Sequence, residues 1–270
     1  DISNYFEVGR TGVCHQLMID EGFAAPGRLI IGADSHTCTY GGLGAFSTGV
    51  GSTEAAAAFA TGKLWFKVPE SIKVELHGAF RPHVGGKDLI IRIITDIGVD
   101  GATYKAFEFC GPGVANVPVA DRLTIANMAI EAGGKAGIFP CDDLTVEHIK
   151  DTVKGVYQPV AADEGAEYCQ ALRYDLSQLE PMVAFPHLPE NGRLVKDADV
   201  VIDQAWLGSC TNGRIEDMRI AAAVVKGRQV HPGVRFLVVP ASPRVFRQML
   251  DEGLMQTFMD AGAYISGPTC

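Results

Sequence analysis

Residues 28–37 read RLIIGADSHT, a short apolar run that passes directly into a polar cluster. Pro26-Gly27 stands just before it, and an apolar run of this length without alternation predicts a buried strand of a parallel sheet. The next stretch, residues 41–51, is rich in glycine and leads into STEAAAAFATG, which predicts a capped helix packed closely against its neighbour. A strand, a polar loop and a helix in this order are typical of an α/β protein.

The last third of the chain repeats this alternation of strands and helices. Its apolar patterns predict a β-α-β-α-β unit with parallel strands: strands at 200–207, 234–239 and 263–266, and helices at 214–226 and from Ser242-Pro243 onward. Closer to the start, we predict a strand at 71–78 and helices at 87–98 and 123–132. We therefore expect α/β subdomains within 1–140, an irregular crossover at 141–198, and a β-α-β-α-β subdomain at 199–270.

Composition and charge exclude several classes of function. The 270 residues are 47% hydrophobic and carry a net charge of −9, so we expect a folded protein that binds no nucleic acid. No apolar run approaches the roughly 20 residues of a membrane span, and we expect no membrane partner. The start shows no signal peptide, which favours the cytoplasm or an organellar matrix. Because the sequence opens at Asp1 and closes at Cys270, we expect it to be part of a longer polypeptide.

Two of the seven cysteines lie where ligands bind in such folds. Ligands bind beyond the carboxyl ends of parallel strands. Cys210 and Cys270 stand in loops that follow two predicted strands, each among glycine and hydroxyl residues. Thiolates in such loops hold iron–sulfur clusters, although cysteine is also a common buried apolar residue. Spacing alone leaves both interpretations open.

One histidine stands out at the same predicted edge of the sheet. His36 lies between Asp34 and the glycine-rich stretch, and His15 precedes the strand that leads to it. A lone histidine is more often structural than catalytic. Two histidines that share a site with Asp34 and Glu131 favour acid–base chemistry.

Four motifs together resemble the aconitase superfamily. They are GADSHT with its glycine-rich continuation, NMAIE at 127–131, GSCTN at 208–212 and the terminal GPTC. With ATGKLWFKVPE at 60–70, the chain is most similar to the large subunits of 3-isopropylmalate dehydratases and their homoaconitase-like relatives. The resemblance covers essentially the whole chain and implies three-layer α/β/α subdomains with mostly parallel sheets.

The resemblance also implies a cofactor, a site and a partner. It implies a 4Fe-4S cluster held by three thiolates, with one iron open as a Lewis acid. The third cysteine would lie just beyond residue 270, and a small subunit would complete the active site. The implied residues are Cys210 and Cys270 as cluster ligands, Asn127 and Asn212 beside the cluster, Ser35 at the substrate, and the pairs His15 with Asp34 and His36 with Glu131 in catalysis.

The reaction implied by this family is the dehydration and rehydration of a small dicarboxylate. We expect a hydro-lyase of leucine biosynthesis that interconverts 2-isopropylmalate and 3-isopropylmalate. The same chemistry on homoaconitate or 2,3-dimethylmalate is an alternative, since this chain does not set the choice. A non-enzymatic alternative is a cluster-free binding module. RNA binding is disfavoured by the charge of −9, and no dinucleotide fingerprint is completed by the glycines.

Overall fold

The computed structural model describes residues 2–7 and 9–270, so Asp1 and Val8 lie outside the described residues. Its helices are α1 (Cys14–Asp20), α2 (Ser52–Thr61), α3 (Gly86–Ile97), α4 (Val119–Asn127), α5 (Asp143–Ile149), α6 (Ser209–Asn212), α7 (Ile215–Val225), α8 (Pro243–Asp251) and α9 (Leu254–Asp260). Its strands are β1 (Leu29–Gly32), β2 (Phe46–Gly49), β3 (Glu70–His77), β4 (Lys105–Cys110), β5 (Ala136–Ile138), β6 (Gln170–Asp175), β7 (Met182–Ala184), β8 (Gly192–Leu194), β9 (Gln204–Gly208), β10 (Arg235–Val239) and β11 (Tyr264–Ile265).

The chain forms two compact units. One comprises the residues up to Glu21 together with Asp199–Cys270, and the other comprises Gly22–Ala198. We refer to the first as the split unit and to the second as the central unit. The boundary that we place at residue 140 stays a prediction.

The central unit is built on a parallel sheet of four strands in the order β5-β4-β3-β6. Alternate residues of β3 (Ile72, Val74 and Leu76) are fully buried, as the period of two requires for a strand with one face in the core. They share this core with α3, whose apolar residues recur at helical spacing, and with Phe107 and Phe109 of β4. The predicted helix at 87–98 is confirmed, and it ends at Gly98, whose φ of 81° suits glycine.

Two smaller sheets belong to the same unit. Strands β1 and β2 pair in parallel from Leu29↔Phe46 to Gly32↔Gly49, which confirms the strand predicted in RLIIGA. Strands β7 and β8 form an antiparallel pair. Between β1 and β2 the chain forms a 3-10 helix, Ser35–Leu43, which carries the DSHT motif.

The predicted crossover at 141–198 is more regular than its sequence suggests. It contributes β6, which pairs in parallel with β3 from Ile72↔Gln170 to His77↔Asp175. Because β6 is the edge strand, most of its residues remain exposed, and it lacks the apolar pattern by which buried strands are identified.

The split unit contains a parallel sheet in the order β11-β10-β9, with α7 to α9 packed around it. The strands are parallel, and strands and helices follow one another in the predicted order. The strand predicted at 200–207 begins later, at Gln204, because Val200–Ile202 do not pair and Val201 is 94% exposed. Helix α8 begins as predicted, with Ser242 Oγ accepting a hydrogen bond from the Val245 amide. No helix among the described residues is long and apolar enough to cross a membrane.

Candidate active site

The DSHT motif forms the turn that follows β1. Asp34 caps the 3-10 helix, since its Oδ1 accepts a hydrogen bond from the His36 amide at 2.8 Å. Thr37 closes the same turn by donating its hydroxyl to the Asp34 carbonyl at 2.7 Å. These local bonds fix the backbone from which the imidazole of His36 projects at the carboxyl end of β1.

His36 is brought to Glu131, as the family resemblance implies. Nε2 of His36 lies 3.2 Å from Oε1 of Glu131, and Nδ1 lies 3.4 Å from the Ser35 hydroxyl. A carboxylate only accepts hydrogen bonds, so Nε2 carries the proton that it donates to Glu131. Nδ1 of the neutral ring is then the acceptor, and a proton taken there faces Asp34 Oδ1 at 3.8 Å. The arrangement can hold and release a proton at Nδ1.

Electrostatics favour the ionised form of Glu131. The hydrogen bond from His36 lowers the pKa of Glu131 below its ordinary value, against the opposing effect of burial. Glu131 lies on the 3-10 helix Met128–Ala132, which follows α4 directly. The helix predicted at 123–132 is therefore α4 continued by this turn, and Gly133 ends it with a φ of 79°, as the glycine cap predicts.

Glycine makes the approach of His36 to Glu131 sterically possible. A Cβ on Gly41 would lie 2.0 Å from the Gly137 carbonyl oxygen, and one on Gly42 would lie 2.7 Å from the Leu123 amide nitrogen. Backbone therefore packs on backbone between the 3-10 helix Ser35–Leu43 and the α4–β5 region. The glycine-rich sequence after DSHT is explained by this contact.

Asn127, at the end of α4, also connects that helix to the 3-10 helix Ser35–Leu43. Its side chain is fully buried, and Nδ2 donates to Thr39 Oγ1 at 2.8 Å. The thiol of Cys38 donates to the Asn127 carbonyl at 3.2 Å. The implied position of Asn127 beside a cluster stays a prediction, whereas its contacts in the central unit hold the DSHT turn against α4.

A cavity of about 430 Å³ opens next to the DSHT turn. Ser35 and Thr48 contribute hydroxyl groups to its wall, and Lys135 contributes an ammonium group. The cavity lies at the carboxyl ends of β1 and β2, the edge at which parallel sheets bind ligands. Ser35, expected at the substrate, therefore lines a space of ligand size.

In the split unit, Cys210 and Cys270 meet at one hydroxyl group. Ser209 Oγ lies 3.7 Å from Cys210 Sγ and 3.4 Å from Cys270 Sγ, so the two sulfurs are no farther apart than the sum of these contacts. Cys210 is buried and Cys270 is exposed. Both cysteines follow strands of the β11-β10-β9 sheet. They lie close together as expected, because loops at the carboxyl ends of parallel strands meet at the same edge of a sheet.

Ser209 and Arg214 also belong to this site, although they are not among the residues predicted for it. Ser209 adopts a positive φ of 73°, uncommon outside glycine, which cannot be read from the sequence. Arg214 is buried and donates to the Thr211 carbonyl at 2.7 Å and to the Cys210 carbonyl at 3.3 Å. One feature of the sequence does point to Arg214. It stands at the start of α7, three residues before Asp217, which is the spacing of a capping box.

Asn212 anchors the cysteine loop through Asp217. Its Nδ2 donates to Asp217 Oδ1 at 2.8 Å, and the Arg214 amide donates to Oδ2 at 3.0 Å. Burial raises the pKa of Asp217 above its ordinary value, despite these donors and the nearby guanidinium of Arg214. The implied position of Asn212 beside a cluster stays a prediction.

The thiol pair fits part of the ligand set of an iron–sulfur cluster. Thiolates are the ligands that such clusters use, and hydroxyl donors such as Ser209 and Thr211 stabilise their sulfurs. Three thiolates are needed, and the described residues contain no group of three or more His, Cys, Asp or Glu side chains placed to hold a metal ion. The residues present therefore match two of the three thiolates that the family resemblance implies for such a cluster.

His15 lies on α1, in the split unit, where it is buried. Helix α1 packs against α6, the short helix that carries Cys210. The Val13 amide at the start of α1 donates to the Ala241 carbonyl at 2.8 Å, which ties α1 to the loop after β10. The implied pair of His15 with Asp34 stays a prediction.

Comparison with known proteins identifies close relatives. The chain is 55% identical over 270 residues to the 3-isopropylmalate dehydratase large subunit of Moorella thermoacetica, and 56% identical over 271 residues to that of Lachnoclostridium phytofermentans. Both matches cover the whole of this chain and 64% of the relative. The chain thus spans about two thirds or slightly less of the length of these proteins.

A solved structure and a sequence family agree on the fold. The holo-form of Thermococcus kodakaraensis aconitase X superimposes with a TM-score of 0.54 at 11% identity, over 96% of this chain and 61% of that one. This likeness confirms an α/β fold with mostly parallel sheets. The sequence profile of the aconitase family (aconitate hydratase) matches residues 2–199 and 193–270. These matches cover nearly the whole sequence, and the chain belongs to the aconitase family.

Proposed function

We propose that this chain is part of the large subunit of a hydro-lyase that interconverts 2-isopropylmalate and 3-isopropylmalate in leucine biosynthesis. The observation that carries the proposal is the meeting of the Cys210 and Cys270 thiols at the Ser209 hydroxyl. The names of the relatives support the substrate. We place the enzyme in the cytoplasm or an organellar matrix.

In this proposal, Cys210 and Cys270 supply two thiolates to a 4Fe-4S cluster, and a third cysteine comes from sequence beyond residue 270. When bound, the cluster supplies an open iron that acts as a Lewis acid on the substrate hydroxyl, because hydroxide is otherwise a poor leaving group. Ser209 and Thr211 place their hydroxyl groups at the sulfurs, and Arg214 holds the backbone of the loop.

The acid–base work falls to the DSHT turn. A proton held at Nδ1 of His36 is available to a departing hydroxyl, while Glu131 keeps the ring oriented through Nε2. Glu131 stays ionised at neutral pH because its pKa is lowered, so it stabilises the imidazolium whenever His36 is protonated. Ser35 is placed to contact the substrate. His15 and Asp34 are proposed as the second histidine–carboxylate pair.

A small subunit is proposed as the partner that completes the site, and a small dicarboxylate as the substrate. The description of the relatives as large subunits supports this division of labour.

The test uses the complete large subunit, reconstituted anaerobically with iron and sulfide. We expect iron and sulfide to bind with the absorbance of an iron–sulfur chromophore, and Cys210→Ser and Cys270→Ser to reduce their content strongly. Cys169→Ser is the matched control, because Cys169 is an exposed thiol of the central unit and should leave the content unchanged. With the small subunit added, isomerisation of 2-isopropylmalate is then measured. Unchanged iron content in both variants would contradict the ligand assignment.

A further inference from the structure

The cavity beside the DSHT turn combines an apolar wall with a cation. Ser35 and Ile130 line it, and they are the chain neighbours of His36 and Glu131. Its wall includes the apolar side chains of Val50, Leu64 and Phe66. Among the described residues of its wall, the charged ones are Lys135 and Glu54.

Lys135 is held in place by its backbone and by one aromatic ring. Its amide donates to the Lys105 carbonyl at 2.7 Å, and its Nζ lies 4.9 Å from the ring centroid of Tyr104. Tyr104 is fixed in turn by donating its amide to the Gly133 carbonyl at 3.1 Å. The side chain is half-buried and, in the part of the chain that the structure describes, it forms no ion pair with a carboxylate.

A half-buried ammonium group without a carboxylate partner, facing a cavity of about 430 Å³, is complementary to an anionic ligand. The hydroxyl groups of Ser35 and Thr48 can donate hydrogen bonds to such a ligand, and the apolar side chains of the same wall suit an alkyl group. Glu54 repels a carboxylate and Lys135 attracts one, so an anionic group bound in this cavity pairs with Lys135. A carboxylate carried on a small alkyl chain can pair with the ammonium group of Lys135 while its alkyl part packs against the apolar side chains.

We propose that Lys135 binds one carboxylate of the hydroxydiacid, with the alkyl substituent lying against Val50, Leu64 and Phe66. The inference rests on the proposed function, which it deepens by assigning a substrate-binding residue in the central unit. A carboxylate at Lys135 places the substrate in the cavity that Ser35 lines, and Ser35 is the residue directly before His36. Lys135 therefore binds the substrate without itself transferring a proton.

The experiment measures kinetics in the complete large subunit assembled with its small subunit and cluster. Lys135→Met should raise KM for the hydroxydiacid roughly ten- to hundredfold, the usual effect of losing a charge-assisted hydrogen bond, with less than about a threefold change in kcat. Lys135→Arg keeps the charge and should regain part of the affinity. Lys154→Met is the matched control, because Lys154 is an exposed lysine of the same unit.

A second measurement does not depend on turnover. Succinate is used as a non-reactive dicarboxylate, and its binding is followed by calorimetry and by competitive inhibition. Lys135→Met should weaken succinate binding about tenfold or more relative to Lys154→Met. If Lys135→Met does not assemble, Lys135→Gln serves as the neutral replacement.

The outcomes separate this inference from the proposed function. Unchanged KM and succinate affinity, with a lowered melting temperature, would mean that Lys135 only packs on Tyr104, and would overturn the inference. If the wild-type enzyme turns over none of the isopropylmalates, the proposed function fails. Succinate binding to the wild type and to Lys135→Met then still decides whether Lys135 binds carboxylates.

Discussion

Nε2 of His36 and Oε1 of Glu131 lie 3.2 Å apart, although 95 residues separate them in the chain. Helix α4 and the glycine-rich 3-10 helix create this contact, because Gly41 and Gly42 let the two backbones touch. The two partners lie on different elements of the central unit, so their contact forms only when the unit folds. Its contribution to the free energy of unfolding can therefore be measured without an activity assay.

The first prediction concerns the pH dependence of this pair. The pKa of Glu131 is lowered in the folded protein, so the ionised form stabilises folding at neutral pH. This stabilisation is lost as the pH falls from the ordinary glutamate range through the lowered pKa. Because the pair is partly exposed, we expect Glu131→Gln to reduce the free energy of unfolding at pH 7 by less than about 1 kcal/mol.

Urea unfolding at pH 7 and below about pH 4 checks this expectation. The difference between wild type and Glu131→Gln should shrink toward zero at the acidic pH. Glu164→Gln, at an exposed position, is the control and should show little difference at either pH. A difference that stays constant with pH would contradict the assignment of the lowered pKa to Glu131.

The elements that could be predicted from the sequence are those whose burial gives them a pattern. β3 and α3 show apolar residues at periods of two and 3.6, because each turns one face to the core. Strand β5 has only three residues, and β6 lies at a sheet edge with mostly exposed residues, so neither carries a comparable signal. These segments become strands because they pair with distant parts of the chain, β4 and β3. Their own sequences do not indicate that pairing.

The candidate site likewise has parts that could be predicted from the sequence and parts that could not. The juxtaposition of Cys210 with Cys270 follows from the positions of their loops after parallel strands. The bridging role of Ser209 depends on its φ of 73°, and the contacts of Arg214 depend on the path of the loop. These are properties of the folded backbone. The side chain that a loop brings to a functional group is therefore harder to predict than the loop itself.

The second prediction concerns Arg122, an arginine of α4 that is fully buried. Its guanidinium donates to both carboxylate oxygens of Asp142 at 2.8 and 2.6 Å, and to the Val114 and Val117 carbonyls. Burial alone would raise the pKa of Asp142, but the bonds from Arg122 and Thr145 outweigh it and the pKa is lowered. With the bond to Thr145 Oγ1 at 3.2 Å, Arg122→Met removes five donated bonds and should destabilise the protein by about 3–5 kcal/mol.

Chemical denaturation of Arg122→Met and Arg122→Lys measures this effect. The lysine variant keeps the charge but not the two-point geometry, so we expect an intermediate loss. Arg173→Met is the control, because Arg173 pairs with Glu75 at an exposed position and should cost less than about 1 kcal/mol. Equal losses for Arg122→Met and Arg173→Met would show that burial adds nothing to the pair.

The third prediction tests the anchor of the cysteine loop. Asn212→Ala removes a donor from the buried carboxylate of Asp217 and should cost about 1–3 kcal/mol. Because burial raises the pKa of Asp217, its ionisation opposes folding, and stability falls as the pH rises through the raised pKa. Loss of the Asn212 donor should enlarge this fall.

Unfolding free energies between about pH 3 and pH 7 separate the two effects. Asp217→Asn removes the titrating group, so Asn212→Ala made in that background should show no enlarged fall in this range. If Asn212→Ala leaves the pH dependence of the otherwise wild-type protein unchanged, the Asn212–Asp217 bond does not favour the ionised form of Asp217 in solution.

The fourth prediction concerns the backbone of Ser209. Its φ of 73° places a side chain in the left-handed region, which costs of the order of 1–3 kcal/mol outside glycine. Ser209→Ala and Ser209→Gly both remove the hydroxyl from the thiols, but only glycine relieves the backbone. We therefore expect Ser209→Gly to be more stable than Ser209→Ala by about 1–2 kcal/mol in urea unfolding.

The control is Ala57, on the exposed side of α2. Replacing Ala57 by glycine should instead lower stability by about 1 kcal/mol, because an ordinary helical position favours alanine. Equal stabilities of the two Ser209 variants would mean that the turn at Cys210 is not strained, and that the hydroxyl alone accounts for serine at this position.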